Sequence, residues 1–162
     1  MFKVLLSKFI KLSRPLVWRM ARAYSLAITE PPHATGQNPL VIQGGEYQAA
    51  NQIPRSCYFN TRSGSIVIGS NTVFGENVMV LTGKHLNYHE SHEKSVNLHE
   101  VPGSGRDVKI GCGCYVGSGA IIIGPVEVGD YAVIGAGSVV TKDVPSLTFF
   151  AGNPARIRRY LQ

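Results

Sequence analysis

An aliphatic residue or Phe opens a new block every six residues through most of this chain. From Ile68 the blocks read IGSNTV, FGENVM and VLTGKH, and from Ile110 they read IGCGCY, VGSGAI, IIGPVE, VGDYAV, IGAGSV and VTKDVP. Glycine takes the second place in six of these nine blocks. The fifth place holds Thr72, Val78, Cys114, Ala120, Val126, Ala132, Ser138 and Val144, which are small or β-branched. A period of six matches neither an amphipathic helix nor an ordinary alternating strand. It matches a coil of triangular section, with one short strand per side and a corner between sides. The opening residue points inward, the fifth points into a tighter inward place, and Gly, Asn or Asp tolerates the corner backbone. Three blocks then make one coil of 18 residues, and coils stack by parallel pairing. The expected fold is all-β, a parallel β-helix over residues 40–145.

Before Ile68 the period is irregular. Val41, Tyr47, Ile53 and Phe59 keep the spacing of six, and TRSGS then adds three residues before the phase resumes. This reads as one irregular starting coil. After Val80 the repeat breaks at Thr82–Gly83 and resumes only at Val108–Ile110. The polar excursion, residues 84–107, carries His85, His89, His92 and His99, four of the five histidines. Long loops of this kind are often functional. His85 stands where the loop leaves the rigid coil, so the scaffold can position it. His89, His92 and His99 read as solvated, because an irregular loop offers a metal no fixed face.

The net charge of +6 is unevenly placed. Lys3, Lys8, Lys11, Arg14, Arg19 and Arg22 fall within residues 1–22 with no acid among them, and the remaining charges balance. A neutral body argues against nucleic acid as a partner. Cys57, Cys112 and Cys114 are odd in number and lack zinc spacing, which suits reduced thiols in a cytoplasmic protein. Cys57 and Cys114 fall at the small inward place, where a thiol packs as a small hydrophobe. No apolar run reaches the length of a membrane span, and the N-terminal pattern lacks the marks of a signal peptide.

The segments NVMVLTGKH, VKIGCGCYVGSGAIIIGPVEVGDYAVIGAGSVVTKDVP and AGNPARI resemble the hexapeptide-repeat acyltransferases. Within them the chain looks like the sugar O-acetyltransferase branch of galactoside, maltose and nodulation-factor enzymes. The match covers roughly residues 53–158. The resemblance implies a left-handed parallel β-helix of hexapeptide repeats and a homotrimer with active sites between subunits. It also implies acetyl-CoA as co-substrate, no metal, and a small sugar-type acceptor. His85 matches the catalytic histidine, and Asn60 in YFNT resembles an asparagine near the acceptor, at a different spacing from Ile68. Ser118 matches a position whose backbone N–H faces the reacting carbonyl. Tyr115 stands where many members carry Trp on the wall of the acyl-CoA channel. Gly135, Ala136, Lys142, Gly152, Asn153, Pro154, Ala155 and Arg156 fall in segments that line that channel. The helical N-terminal domain of several relatives is reduced here to a short arm. The sequence of loop 84–107 matches no known acceptor.

The chemistry this predicts is direct. A hydroxyl attacks the thioester while a neutral imidazole removes its proton, and a backbone N–H stabilises the oxyanion. No Ser-His-Asp arrangement is legible, so transfer proceeds in a ternary complex without an acyl-enzyme. Lys142, Arg156, Arg158 and Arg159 supply positive charge for the CoA phosphates, with a solvated tail as the other reading of the last two.

On a helical wheel, Phe2, Leu5, Leu6, Phe9, Leu12, Leu16 and Met20 gather opposite the six cations. Residues 1–27 thus read as a short basic amphipathic N-terminal helix, broken near Pro15. It either caps the coil and packs subunits, or makes a weak contact with an anionic membrane surface through residues 2–22, placing the protein at the inner membrane face. Residues 30–39 read as a loop, and residues 146–162 as a turn and tail. Three other readings stand beside the hydroxyl acceptor: an N-acetyltransferase of an amino sugar or xenobiotic, a β-helix carbonic anhydrase, and a non-catalytic assembly module.

Overall fold

The computed structural model describes residues 32–44, 52–83, 85–97 and 99–161. They belong to one compact unit, Pro31–Gln162. The helix expected over residues 1–27 lies outside the described residues.

Among the described residues, fourteen short strands wrap into three faces, parallel but for the last pair. The first face stacks β1 (His33–Gly36), β3 (Tyr58–Thr61), β6 (Met79–Leu81), β9 (Ile121–Ile123) and β12 (Val139–Val140). The second stacks β2 (Leu40–Ile42), β4 (Ile66–Ile68), β7 (Val108–Ile110) and β10 (Val126–Val128). The third stacks β5 (Val73–Phe74), β8 (Tyr115–Val116), β11 (Val133–Ile134), β13 (Thr148–Gly152) and β14 (Ala155–Tyr160). The chain visits the faces in rotation. Val108 pairs with Val126, Tyr115 with Val133 and Ile121 with Val139, each 18 residues on. Ile68 pairs with Ile110, which leaves 24 residues inserted in that coil. Tyr58 pairs with Met79, 21 residues on, so the three extra residues bulge at the corner after β3. The fold is the expected left-handed parallel β-helix.

The hexad positions sort as the period requires. All nine opening residues are buried, from Ile68 to Val140, and so are the eight fifth-place residues from Thr72 to Val144. Thr72 keeps its hydroxyl satisfied there, donating to the Gly111 carbonyl (2.7 Å) and accepting from the Cys114 N–H (3.1 Å). Glycine serves two different needs. In second place it removes a clash: a Cβ on Gly69 would lie 2.4 Å from the Gly111 carbonyl carbon of the next coil. In fourth place the backbone is left-handed, with φ between 57° and 69° at Asn71, Asn77, Gly113, Gly119, Tyr131 and Gly137.

Three segments differ from expectation. Val41 is exposed, while Leu40 and Ile42 pack on the core, because β2 pairs Leu40 with Ile66 and Ile42 with Ile68. The inward parity is therefore one residue off the spacing of six. Residues 30–39 contain β1, which extends the first face by pairing with β3 although HATG carries no hexad signal. Residues 146–162 contain the antiparallel pair β13–β14, with Asn153–Pro154 at its turn.

The excursion is also more ordered than a solvated loop. It contains α1 (Tyr88–Glu93), opened by a capping box in which Asn87 and Glu90 bond reciprocally (2.9 and 2.8 Å). Glu90 also pairs with Arg106 at 3.4 Å, and Arg106 is buried. Leu86 is buried and its N–H donates to the Glu100 carbonyl. His89 and His92 therefore do share a helix, with the Tyr88 ring packed against both. Among the described residues, no group of three or more His, Cys, Asp or Glu is arranged to hold a metal.

Candidate active site

Two corners flank the first face, and the candidate residues divide between them. At the corner leading to the second face, Thr82 is fully buried and ties the chain down. Its hydroxyl donates to the Asn60 carbonyl (2.8 Å) and accepts from the Ser63 N–H (3.0 Å). The Thr82 N–H donates to the same Asn60 carbonyl (3.0 Å). Gly83 then lies against the Asn60 carboxamide, where a Cβ would come within 3.1 Å of both amide atoms. Asn60 Oδ1 accepts from the Arg62 N–H (2.9 Å), which leaves its NH₂ as a donor.

His85 follows two residues after Gly83, exposed on this anchored corner. Its Nδ1 is hydrogen-bonded to the backbone carbonyl of His99. A carbonyl only accepts, so Nδ1 carries a proton, and in the neutral ring the lone pair is then on Nε2. His99 sits at φ 66°, the left-handed region, and its ring meets that of His85 edge-on. The ring of His85 is thus set in the tautomer that a general base needs.

Ser118 and Ala136 occupy the other corner, between the third face and the first. They stack, with Gly117 against the Ala136 N–H and Gly75 against the Ser118 N–H. Neither N–H bonds to another described residue, whereas those of Gly117, Gly119, Gly135 and Gly137 do. The Ser118 hydroxyl accepts from the Glu76 N–H (3.1 Å). The β13–β14 turn continues the column: Gly135 lies against Ala151, and the Gly152 N–H donates to Ser138 Oγ (3.2 Å). Ser118, Gly135, Ala136, Gly152, Asn153, Pro154, Ala155 and Arg156 therefore line one edge.

A strand of the first face, ~10 Å of backbone, separates this edge from His85 and Asn60 within one chain. Lys142 follows β12 and lies on the His85 edge, apart from Arg156. Tyr115 stands exposed on the third face between Val73 and Val133. Arg158 and Arg159 have work in the fold. Arg158 donates to the Ala151 carbonyl (2.9 Å), and the Arg159 guanidinium lies over Phe149. A separate groove of about 380 Å³ lies at the third corner, between the second and third faces and near Cys112, away from both edges.

Burial pushes the Cys57 and Cys114 thiols up, away from the thiolate form. That disfavours either as a nucleophile. Two groups beside these residues escape sequence reasoning: the carbonyl of His99, because a backbone group has no letter, and Arg62, whose N–H is bonded to Asn60.

Residues 107–142 match the family model for bacterial transferase hexapeptide (six repeats). Over these residues the chain carries the repeats of that family. Among curated members, it is 36% identical over 95 residues to galactoside O-acetyltransferase of Escherichia coli K12, covering 60% of this chain and 44% of that protein. It is 41% identical over 93 residues to the mitochondrial serine acetyltransferase 3 of Arabidopsis thaliana, covering 57% of this chain and 21% of that one. A hexapeptide-repeat-containing acetyltransferase from Vibrio cholerae O1 biovar eltor, solved with acetyl coenzyme A, shares the fold. Its TM-score is 0.52 at 22% identity, over 88% of this chain and 78% of that chain. The chain spans less than half the length of these curated relatives. Among the described residues no helix is long and apolar enough to cross a membrane.

Proposed function

We propose that this hexapeptide-repeat protein moves an acetyl group from acetyl-CoA to a hydroxyl of a sugar or polysaccharide precursor, with His85 as general base. The observation that carries the reading is the bond from His85 Nδ1 to the His99 carbonyl, which leaves Nε2 free to take a hydroxyl proton. Asn60 orients the acceptor with its free NH₂, and the unbonded N–H of Ser118 faces the oxyanion. The proton then passes from His85 to the departing CoA thiolate. The backbone donors of Ala136 and the 152–156 turn, with Lys142 and Arg156, hold the pantetheine arm and phosphates.

The separation of the two edges finds its answer in a homotrimer. The outward residues of the first face include Met79, Leu81, Ile121, Ile123 and Val139, all apolar, whereas the second face shows Lys109 and Glu127. Three copies that turn this face toward a threefold axis cover it. The His85 edge of each copy then meets the Ser118 edge of the next. Each site takes its base from one subunit and its oxyanion donor from another.

The test is thiol release from acetyl-CoA against neutral sugars, nucleotide sugars, amino sugars and serine, with the intact protein and His85→Ala. Release that depends on a sugar hydroxyl and falls ~100-fold in the variant supports the assignment. Equal release from both proteins removes His85 from the chemistry. Release only with amino sugars or with serine moves the acceptor class while keeping the base.

A further inference from the structure

On the same corner of the coil as Asn60 and His85 lies a cleft of about 490 Å³, within the usual range for a small-molecule site. It is lined by Gly36, Gln37, Asn38, Arg62 and Gly103. Three separate segments meet there, and Asn38 ties them. Its Nδ2 donates to the carbonyls of Thr61 (2.7 Å), Arg62 (3.2 Å) and Gly103 (3.4 Å). The last of these belongs to the returning end of the excursion, so the same loop that presents His85 also walls this cleft.

Arg62 is the charged group of the lining, and no acid lines the cleft. Its guanidinium makes no ion pair or hydrogen bond among the described residues. The other arginine of this corner, Arg106, is buried and paired with Glu90. Arg62 is exposed, and its backbone N–H is bonded to Asn60 Oδ1, which couples the two residues in space. They lie two residues apart, Asn60 on β3 and Arg62 just past its end. A planar guanidinium with unused donors in a concave site suits a carboxylate or a phosphate.

We propose that this cleft is the acceptor's second subsite, in which Arg62 binds an anionic group of the sugar, a carboxylate or a phosphate. The proposal rests on the acyl-transfer reading and narrows it. The acceptor is an acidic sugar or sugar phosphate, held with its anion at Arg62 and its reacting hydroxyl at Asn60 and His85.

The experiment is calorimetric titration of the full chain with glucose, glucuronic acid and glucose 1-phosphate, repeated with Arg62→Gln and Arg62→Lys. Transfer kinetics are run on the same set. An anionic sugar binding ~10-fold or more tightly than glucose, with that advantage lost in Arg62→Gln and partly kept in Arg62→Lys, is the expected result. Which anion wins tells carboxylate from phosphate. In kinetics the glutamine variant raises KM for the anionic acceptor and leaves kcat nearly unchanged. Equal affinity for all three sugars, or an anion advantage that survives Arg62→Gln, overturns the proposal. Transfer to the anionic sugars that is indifferent to Arg62→Gln sinks the anion subsite alone. Arg62-dependent anion binding with no transfer to any acceptor keeps the subsite and sinks the transferase reading.

Discussion

His85 donates from Nδ1 to the backbone carbonyl of His99, fourteen residues further along the same excursion. The bond does two things. It fixes the tautomer of the neutral ring, and it makes the orientation of that ring depend on how the far end of the loop is folded. His99 meets this demand with a left-handed backbone at φ 66°, a conformation that non-glycine residues adopt at some cost.

The role of His99 is therefore predicted to reside in its carbonyl and not its ring. His99→Gly and His99→Asn both tolerate positive φ and keep the carbonyl, so kcat stays within ~3-fold of the parent. His99→Val resists that backbone and turns the carbonyl away, and kcat falls ~10-fold. The check is thiol release from acetyl-CoA with a saturating acceptor. If His99→Gly is as damaged as His99→Val, the imidazole of His99 takes part and the backbone account is wrong.

Thr72 makes the tight fifth place legible as chemistry as well as size. Replacing it with Val keeps the shape but strands the Gly111 carbonyl and the Cys114 N–H in the core. The expected loss is ~1–3 kcal/mol, seen as a lower urea midpoint at unchanged slope. Thr72→Ser retains both bonds and loses less. A valine variant as stable as the parent would show that the two backbone groups find other partners.

Much of the fold was legible because the hexad writes one residue type for one physical need. Ile68, Val116 and Ile134 are inward, Ala120 and Ala132 fill the narrow inward place, and Gly69 and Gly111 let coils touch. The fourth place is readable at Asn71, Asn77, Gly113, Gly119 and Gly137, and hidden at Tyr131, which holds φ 57° with its ring packed over Gly113. Where pairing carries the structure without a core-facing side chain, the letters fall silent. β1 is exposed along its whole length, and β14 is exposed beyond Ala155. At the site, His85 could be read as the residue where the loop departs. The apolar outer row of the first face and the cleft at Arg62 could not, because each is assembled from residues of separate segments.

The three thiols are predicted to separate by accessibility. Cys57 and Cys114 are buried with thiols pushed up by burial, while Cys112 is partly exposed at the third corner. Native protein treated with a thiol-specific disulfide reagent at pH 8 should release about one equivalent promptly. The other two should react only after denaturation. Cys112→Ser should abolish the prompt phase and leave acetyl transfer intact. Loss of transfer in Cys112→Ser would instead favour a thiol intermediate over direct attack in a ternary complex.

Acid should weaken the coil through its corner carboxylates, and Asp107 is the one whose response has a definite sign. The Ser65 hydroxyl and N–H both donate to Asp107 Oδ1 (2.6 and 2.7 Å), which holds its carboxyl below the ordinary carboxylate range. The unfolded side chain titrates near ~3.9, so the contribution is fully present above that pH. It is lost as the pH falls through the lower folded value, when the native carboxylate also takes up its proton. Asp107→Asn keeps the shape and removes the charge. At pH 7 the variant should melt ~1–2 °C below the parent, a small gap because the group is exposed and screened. The gap should close as the pH falls from the unfolded value through the lower folded one. Comparing the two at each pH cancels the titration of every other group. No gap at pH 7 would mean that Asp107 acts through its shape alone, and that the charge on this corner carries no part of the stability.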